Sequence, residues 1–270
     1  MGKNDDSWGD LPSLIKDYLQ SADSGRLREA IEYHSNLPGP RANLEFAAAF
    51  GDLMEEMAGA SGDQLWELCR VLVAVTPDEG PINDPKEFIP FCGSVGIGAL
   101  GSRLDTSYND ALATLRELSR DRRWRMREAV RMGLQRILKA RTENTLEVLQ
   151  GWIPEGNPLE MRAVVASVSD LEFLVDQDLA NRALDLHKQI LDQIGHIQDR
   201  KAKSFRVLRK ALGYTLSILI CALPKQGLEL IDDLIASKDT DLIWIARSNL
   251  KKRRVLRNFP EEAEARLKGL

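Results

Sequence analysis

Cationic side chains interleaved with aromatics are the residues of this chain whose types and spacing could do chemistry. Arg125, Arg136 and Lys139 lie in one segment, Lys203, Arg206 and Lys210 in a second, and Lys252 in a third. Trp124, Tyr214 and Trp244 stand among them. Lys and Arg neutralise phosphates, and aromatic rings stack on bases or sugars, so the chemistry on offer is polyanion binding. Other groups offer less. His34, His187 and His196 have no ligand-type neighbours at metal-binding spacing, so no metal site is expected. Glu55-Glu56 and Asp232-Asp233 are adjacent in sequence and point to different helix faces, which excludes a general acid/base couple. Gly93, Gly96, Gly98 and Gly101 follow no strand and precede no Lys-Ser/Thr, so helix packing is expected there in place of a phosphate loop. No cofactor motif is present.

The charge is unevenly distributed. The chain has 270 residues, with 37 Lys and Arg against 41 Asp and Glu. Residues 115–141, 200–210 and 247–257 hold 22 of those 37 cations and 3 acids, leaving a net charge of −23 on the remainder. A weakly acidic total therefore conceals three basic segments, and local charge governs association.

Helices must position these segments. Leu, Ala, Arg and Glu dominate and only 6% of residues are aromatic, which favours helix. The periodicity predicts helices over 11–20, 24–36, 41–58 and 62–75, then an irregular stretch over 82–104 with a helix near Phe88–Leu100. From 107 onward it predicts pairs, 107–119 with 123–140, 142–152 with 158–171, 177–195 with 204–222 and 225–236 with 241–253, then a short terminal helix. Pairs recurring at this spacing without strands predict an all-α α-solenoid of about six helix pairs. The expected organisation is a polar leader, 1–10, followed by a single continuous array over 11–270, less regular over 11–104 and clearer over 105–253.

Cys69, Cys92 and Cys221 are far apart in apolar surroundings, as free thiols in a reducing compartment would be. The first ten residues have no apolar signal core, and the apolar run 211–223 is too short to span a bilayer. A cytoplasmic protein without a membrane partner is expected.

Asp121, Trp124 and Arg127 recur at the same offsets as Asp241, Trp244 and Arg247. At 100° per residue, Arg127, Arg209 and Arg247 fall at the edges of their apolar stripes, where each can reach the Asp one turn earlier or a neighbouring repeat's Asp. This spacing, with Arg-Glu-Ala at 127–129, resembles HEAT repeats, best over 107–140 and 225–253. The resemblance implies a right-handed superhelix with second helices lining a concave face, and a structural role for Arg127, Arg209, Arg247 and Asp241. On the opposite side of the same helices the wheel places Arg125, Arg136, Lys139, Lys203, Arg206, Lys210 and Lys252, an expected basic band.

Trp124, Arg127 and Ala129 also look like part of a helix in the HEAT-like alkylpurine DNA glycosylases. That resemblance implies an Asp beside paired aromatics to stabilise an oxocarbenium-like charge, and Asp121 is the candidate. The Trp-Trp-Asp-type segment of those enzymes has no counterpart here. The sequence is therefore read as a non-catalytic module for nucleic acid, DNA first. A scaffold for an acidic protein is the alternative, and a glycosylase the second alternative.

Overall fold

The computed structural model describes residues 10–270, so the polar leader lies outside the described residues except for Asp10. Fourteen α-helices and no β-strand occur among them. They form two compact units divided between Thr142 and Glu143, each an array of successive helix pairs. The chain is all-α, as the sequence predicts.

In the first unit, α1 (Leu11–Ser21) and α2 (Gly25–Tyr33) precede a long helix, α3 (Leu44–Val73). Asn43 caps α3 by accepting from the Phe46 N–H at 3.1 Å, satisfying a donor the helix leaves open. Two separate helices are expected here, and the structure joins them: Ser61 leaves helical geometry (φ −138°, ψ 26°), so the Ser-Gly-Asp signal makes a kink.

The stretch expected to be irregular becomes the centre of the unit. Helix α4 (Phe88–Arg103) is buried at every residue from Phe88 through Ser102, between α3, α5 (Tyr108–Leu118) and α6 (Trp124–Ala140). A helix enclosed on all sides has no polar face, which explains the absence of amphipathic periodicity. Its glycines allow close approach: a Cβ on Gly98 would collide with the Gly133 backbone of α6. Burial of Phe46, Phe50, Phe88 and Phe91 around this crossing contributes about 1.5–3 kcal/mol per ring.

In the second unit, α7 (Thr142–Glu155), which begins at the division, and α8 (Pro158–Val168) form the first pair. They are followed by α9 (Gln177–Ile194) with α10 (Lys203–Ala222), and α11 (Pro224–Ala236) with α12 (Thr240–Leu250). Helix α8 packs on α10, and α10 on α12, which is how second helices of consecutive repeats stack. Asn157, Asp176 and Asp239 cap α8, α9 and α12 with their side-chain oxygens. Phe205, Leu208, Leu212, Leu216 and Leu219 form a buried apolar stripe along α10. Asn249 bolts α12 to it: Nδ2 donates to the Leu212 carbonyl at 2.8 Å, and Oδ1 accepts from the Ser217 N–H at 2.8 Å. Helix α13 (Arg253–Asn258), which the periodicity does not show, and α14 (Pro260–Lys268) complete the unit.

Among the described residues, no helix is long and apolar enough to cross a membrane.

Candidate polyanion interface

In the first unit the cations are consumed by the fold. Arg123, 2% exposed, precedes α6 and closes a cage. Its Nε and Nη2 donate to the Asp121 carboxylate, Nη1 to the Gly80 and Thr76 carbonyls, and Nη2 also to the Val75 carbonyl. The planar five-donor guanidinium suits this convergence of carbonyls and a carboxylate. Asp121 is thereby committed on both oxygens and almost buried. The Asp121 carboxylate is thus engaged by Arg123 within the fold.

Arg125 and Arg136 are corrected as members of the basic band. Arg125 is buried, with Nη1 2.9 Å from the fully buried Glu87 carboxylate and Nη2 donating to the Gly39 carbonyl at 2.6 Å. The face that a helical wheel assigns to solvent is covered by the connections that carry Gly39 and Asn83. Arg136 joins Asp52 at 2.8 Å, Glu55 at 2.6 Å and the Ala48 carbonyl at 2.8 Å, tying α6 to α3. Lys139 is exposed at the rim of the cleft of about 450 Å³ that these two acids help to line. Trp124 is exposed, with the Arg125 guanidinium 4.4 Å from its ring centre. Arg127 donates to the Asp121 main-chain oxygen at 3.0 Å, while Arg123 holds the Asp121 carboxylate.

The second unit treats its cations differently. Arg200 binds Asp239 at 2.6 Å and Asp241 at 3.2 Å and donates to the Ile194 carbonyl. Burial alone would raise the Asp239 pKa, but hydrogen bonds from Arg200 and from the Leu242 and Asp241 N–H groups hold it below the ordinary value. Arg209 also reaches Asp241, linking α10 to α12. Of the two pairings the wheel allows, Arg209 therefore takes the one between repeats. Arg247 donates to the Leu270 main-chain oxygen instead of binding an Asp.

Lys203, Arg206 and Lys210 are exposed, and none has a carboxylate partner among the described residues. Spacings of three and four residues place them on one face of α10, with the half-exposed Tyr214 one turn beyond Lys210. Trp244 of α12 is 37% exposed and sits against α10, its ring 4.3 Å from the Arg209 guanidinium. Lys252 is half-exposed within the third basic segment, whose other members were not assigned individually to the band. Lys251, Arg253, Arg254 and Arg257 are exposed at the α12–α13 junction, also without carboxylate partners among the described residues. Their acid-free run was the available signal. Helix α13 packs on α10, where Asn258 Nδ2 lies 3.7 Å from Cys221 Sγ.

His187 is not a ligand candidate. It is fully buried in α9, with Nδ1 2.7 Å from the Ala183 carbonyl and Nε2 3.0 Å from the Thr215 hydroxyl. A carbonyl only accepts, so Nδ1 carries the proton, and burial lowers the pKa to about 4. No group of three His, Cys, Asp or Glu side chains suited to a metal ion occurs among the described residues.

Comparison with protein-family models gives no match, and comparison with curated proteins gives none either. Among solved structures, the chain is similar to a designed armadillo repeat protein, YIII(Dq)4CqI. The identity is 14%, over 91% of this chain and 99% of that one, with a TM-score of 0.35.

Proposed function

We propose that this chain is a non-catalytic helical-repeat binding module whose second unit, Glu143–Leu270, presents cations to nucleic acid. The observation carrying this reading is the exposed row of Lys203, Arg206 and Lys210, all without carboxylate partners among the described residues. Unpaired cations on one rigid helix keep their full charge for a partner and need no internal ion pair broken on binding. From Lys203 to Lys210 the helix rises ~10 Å, so the row is long enough to meet more than one phosphate of a nucleic-acid backbone. The α12–α13 cations extend the supply of charge along α10.

The test is a salt titration of binding, by fluorescence anisotropy, to labelled DNA and RNA oligonucleotides and to heparin. Neutralising three to five phosphates gives a log–log salt slope of about −2 to −4. The variant Lys203→Glu/Arg206→Glu/Lys210→Glu is expected to weaken binding more than about a hundredfold with helix content unchanged. Affinity unaltered by these reversals removes the row from the interface. Absence of any salt-sensitive binding removes the polyanion reading and favours a protein partner.

A further inference from the structure

Trp244 is an exposed aromatic that the fold holds still. Its benzo edge lies on the α10 backbone at Gly213, where an added Cβ would stand 2.8 Å from Cζ3 and 3.2 Å from Cη2. Only glycine lets the ring settle there. Arg209 lies 4.3 Å from the ring centre, and its own guanidinium is anchored by Asp241, one turn before the tryptophan. The indole is thus braced at its edge and from one side, while 37% of the residue remains in solvent.

This braced ring adjoins the cationic row. Gly213 is three residues after Lys210 and seven after Arg206, so the indole rests on the same side of α10 as those two charges. A phosphate held by Lys210 leaves its base within reach of the ring. An aromatic plane beside a charged track recognises any unpaired base, because every base offers a π-face and a backbone charge. Bases in a duplex are already stacked on each other and must be unstacked and extruded before reaching a side-chain ring.

We propose that Trp244 is a stacking platform and that the nucleic acid bound by this surface is single-stranded. This inference rests on the polyanion reading of Lys203, Arg206 and Lys210, and it adds the strandedness of the partner. Gly213 and Arg209 act as positioning residues: they set the plane of the ring, and Trp244 makes the contact.

The experiment compares three labelled ligands of matched length on the full chain: a thymidine 12-mer, an abasic 12-mer with the same phosphates, and a 12-base-pair duplex. A stacked base contributes enough for about a tenfold preference for the thymidine strand over the abasic one. Trp244→Ala is expected to bring the thymidine strand to the abasic affinity and leave the salt slope unchanged. Trp244→Phe recovers part of the preference, and Gly213→Ala, which displaces the ring, loses it. Circular dichroism and thermal melting of each variant establish that it is folded. Should Trp244→Ala not fold, the tryptophan emission quenched by the thymidine strand, compared between the unaltered chain and Trp244→Phe, gives the same answer. Equal binding of thymidine and abasic strands, a preference that survives Trp244→Ala, or tighter binding of the duplex overturns the stacking proposal and leaves the polyanion reading standing. Failure of all three ligands to bind overturns both.

Discussion

Arg123 and Arg206 carry the same side chain, each within a few residues of the start of a second helix, and they meet opposite surroundings. Arg123 is enclosed by Asp121 and by the Val75, Thr76 and Gly80 carbonyls. Arg206 stands exposed on α10. The difference lies in what the chain lays over each position. In the first unit the connection after α3 turns its carbonyls inward and requires a cation to satisfy them. In the second unit Arg200 meets the corresponding demand at Ile194, Asp239 and Asp241, Arg209 joins it at Asp241, and Lys203, Arg206 and Lys210 are left to solvent. A basic segment therefore serves as internal scaffold or as interface according to whether acids and carbonyls reach it, and burial separates the two cases.

The largest effect expected from breaking this contrast is at Arg123. Arg123→Met strands a nearly buried carboxylate and three carbonyls, and removing one partner of a buried pair costs about 3–5 kcal/mol. Urea denaturation followed by circular dichroism should show that loss, whereas Arg206→Met should stay within about 0.5 kcal/mol. Equal losses at the two positions would mean that their surroundings do not distinguish them.

A smaller effect comes from the polar node of the second unit, which is buried without charge. His187 titrates at about 4 in the folded chain and at about 6.5 when unfolded. Above 6.5 neither state binds the proton. Between 6.5 and 4 the unfolded chain takes it up and the folded chain does not, so stability falls with falling pH by about 1.4 kcal/mol per unit, to a total of about 3 kcal/mol. Denaturation at a series of pH values, with His187→Gln as reference, isolates this contribution: the variant should lack that part of the slope. A variant with the same slope would assign the acid sensitivity to carboxylates instead.

Much of the helical framework was legible in the residues. The pairs beyond Ser107 follow from apolar spacing and turn residues, although α7 runs on through Pro154 to Glu155, past the expected end at 152. Helix α4 was not, because amphipathic periodicity marks a helix with a wet side and α4 has none. Of the candidate surface, solvent exposure was legible at Lys139, Lys203, Arg206 and Lys210. The wheel turns Lys203, Arg206 and Lys210 outward, and all three are exposed. It failed for Arg125 and Arg136, because an outward direction on one helix does not reveal a partner more than 30 residues away in sequence: Glu87 for Arg125, and Asp52 with Glu55 for Arg136. Arg123 gave no periodic signal at all. It lies outside the helix, and its importance arises from carbonyls that only folding brings together.

The smallest expected effect sharpens the contrast most. If the α10 row serves binding and contributes nothing to folding, reversing all three charges in Lys203→Glu/Arg206→Glu/Lys210→Glu leaves stability within about 1 kcal/mol of the unaltered chain, since exposed positions outside capping and ion-pair networks contribute little. The three cations repel one another along one helix face, and reversal exchanges one like-charge row for another, so that contribution nearly cancels. Acidic side chains near the start of α10 also suit the helix dipole better than basic ones, which moves the expected change toward slight stabilisation. Chemical denaturation at low and moderate salt tests this directly. A loss of several kcal/mol would show that the row is part of the scaffold after all, placing it with Arg123 and withdrawing it from the interface.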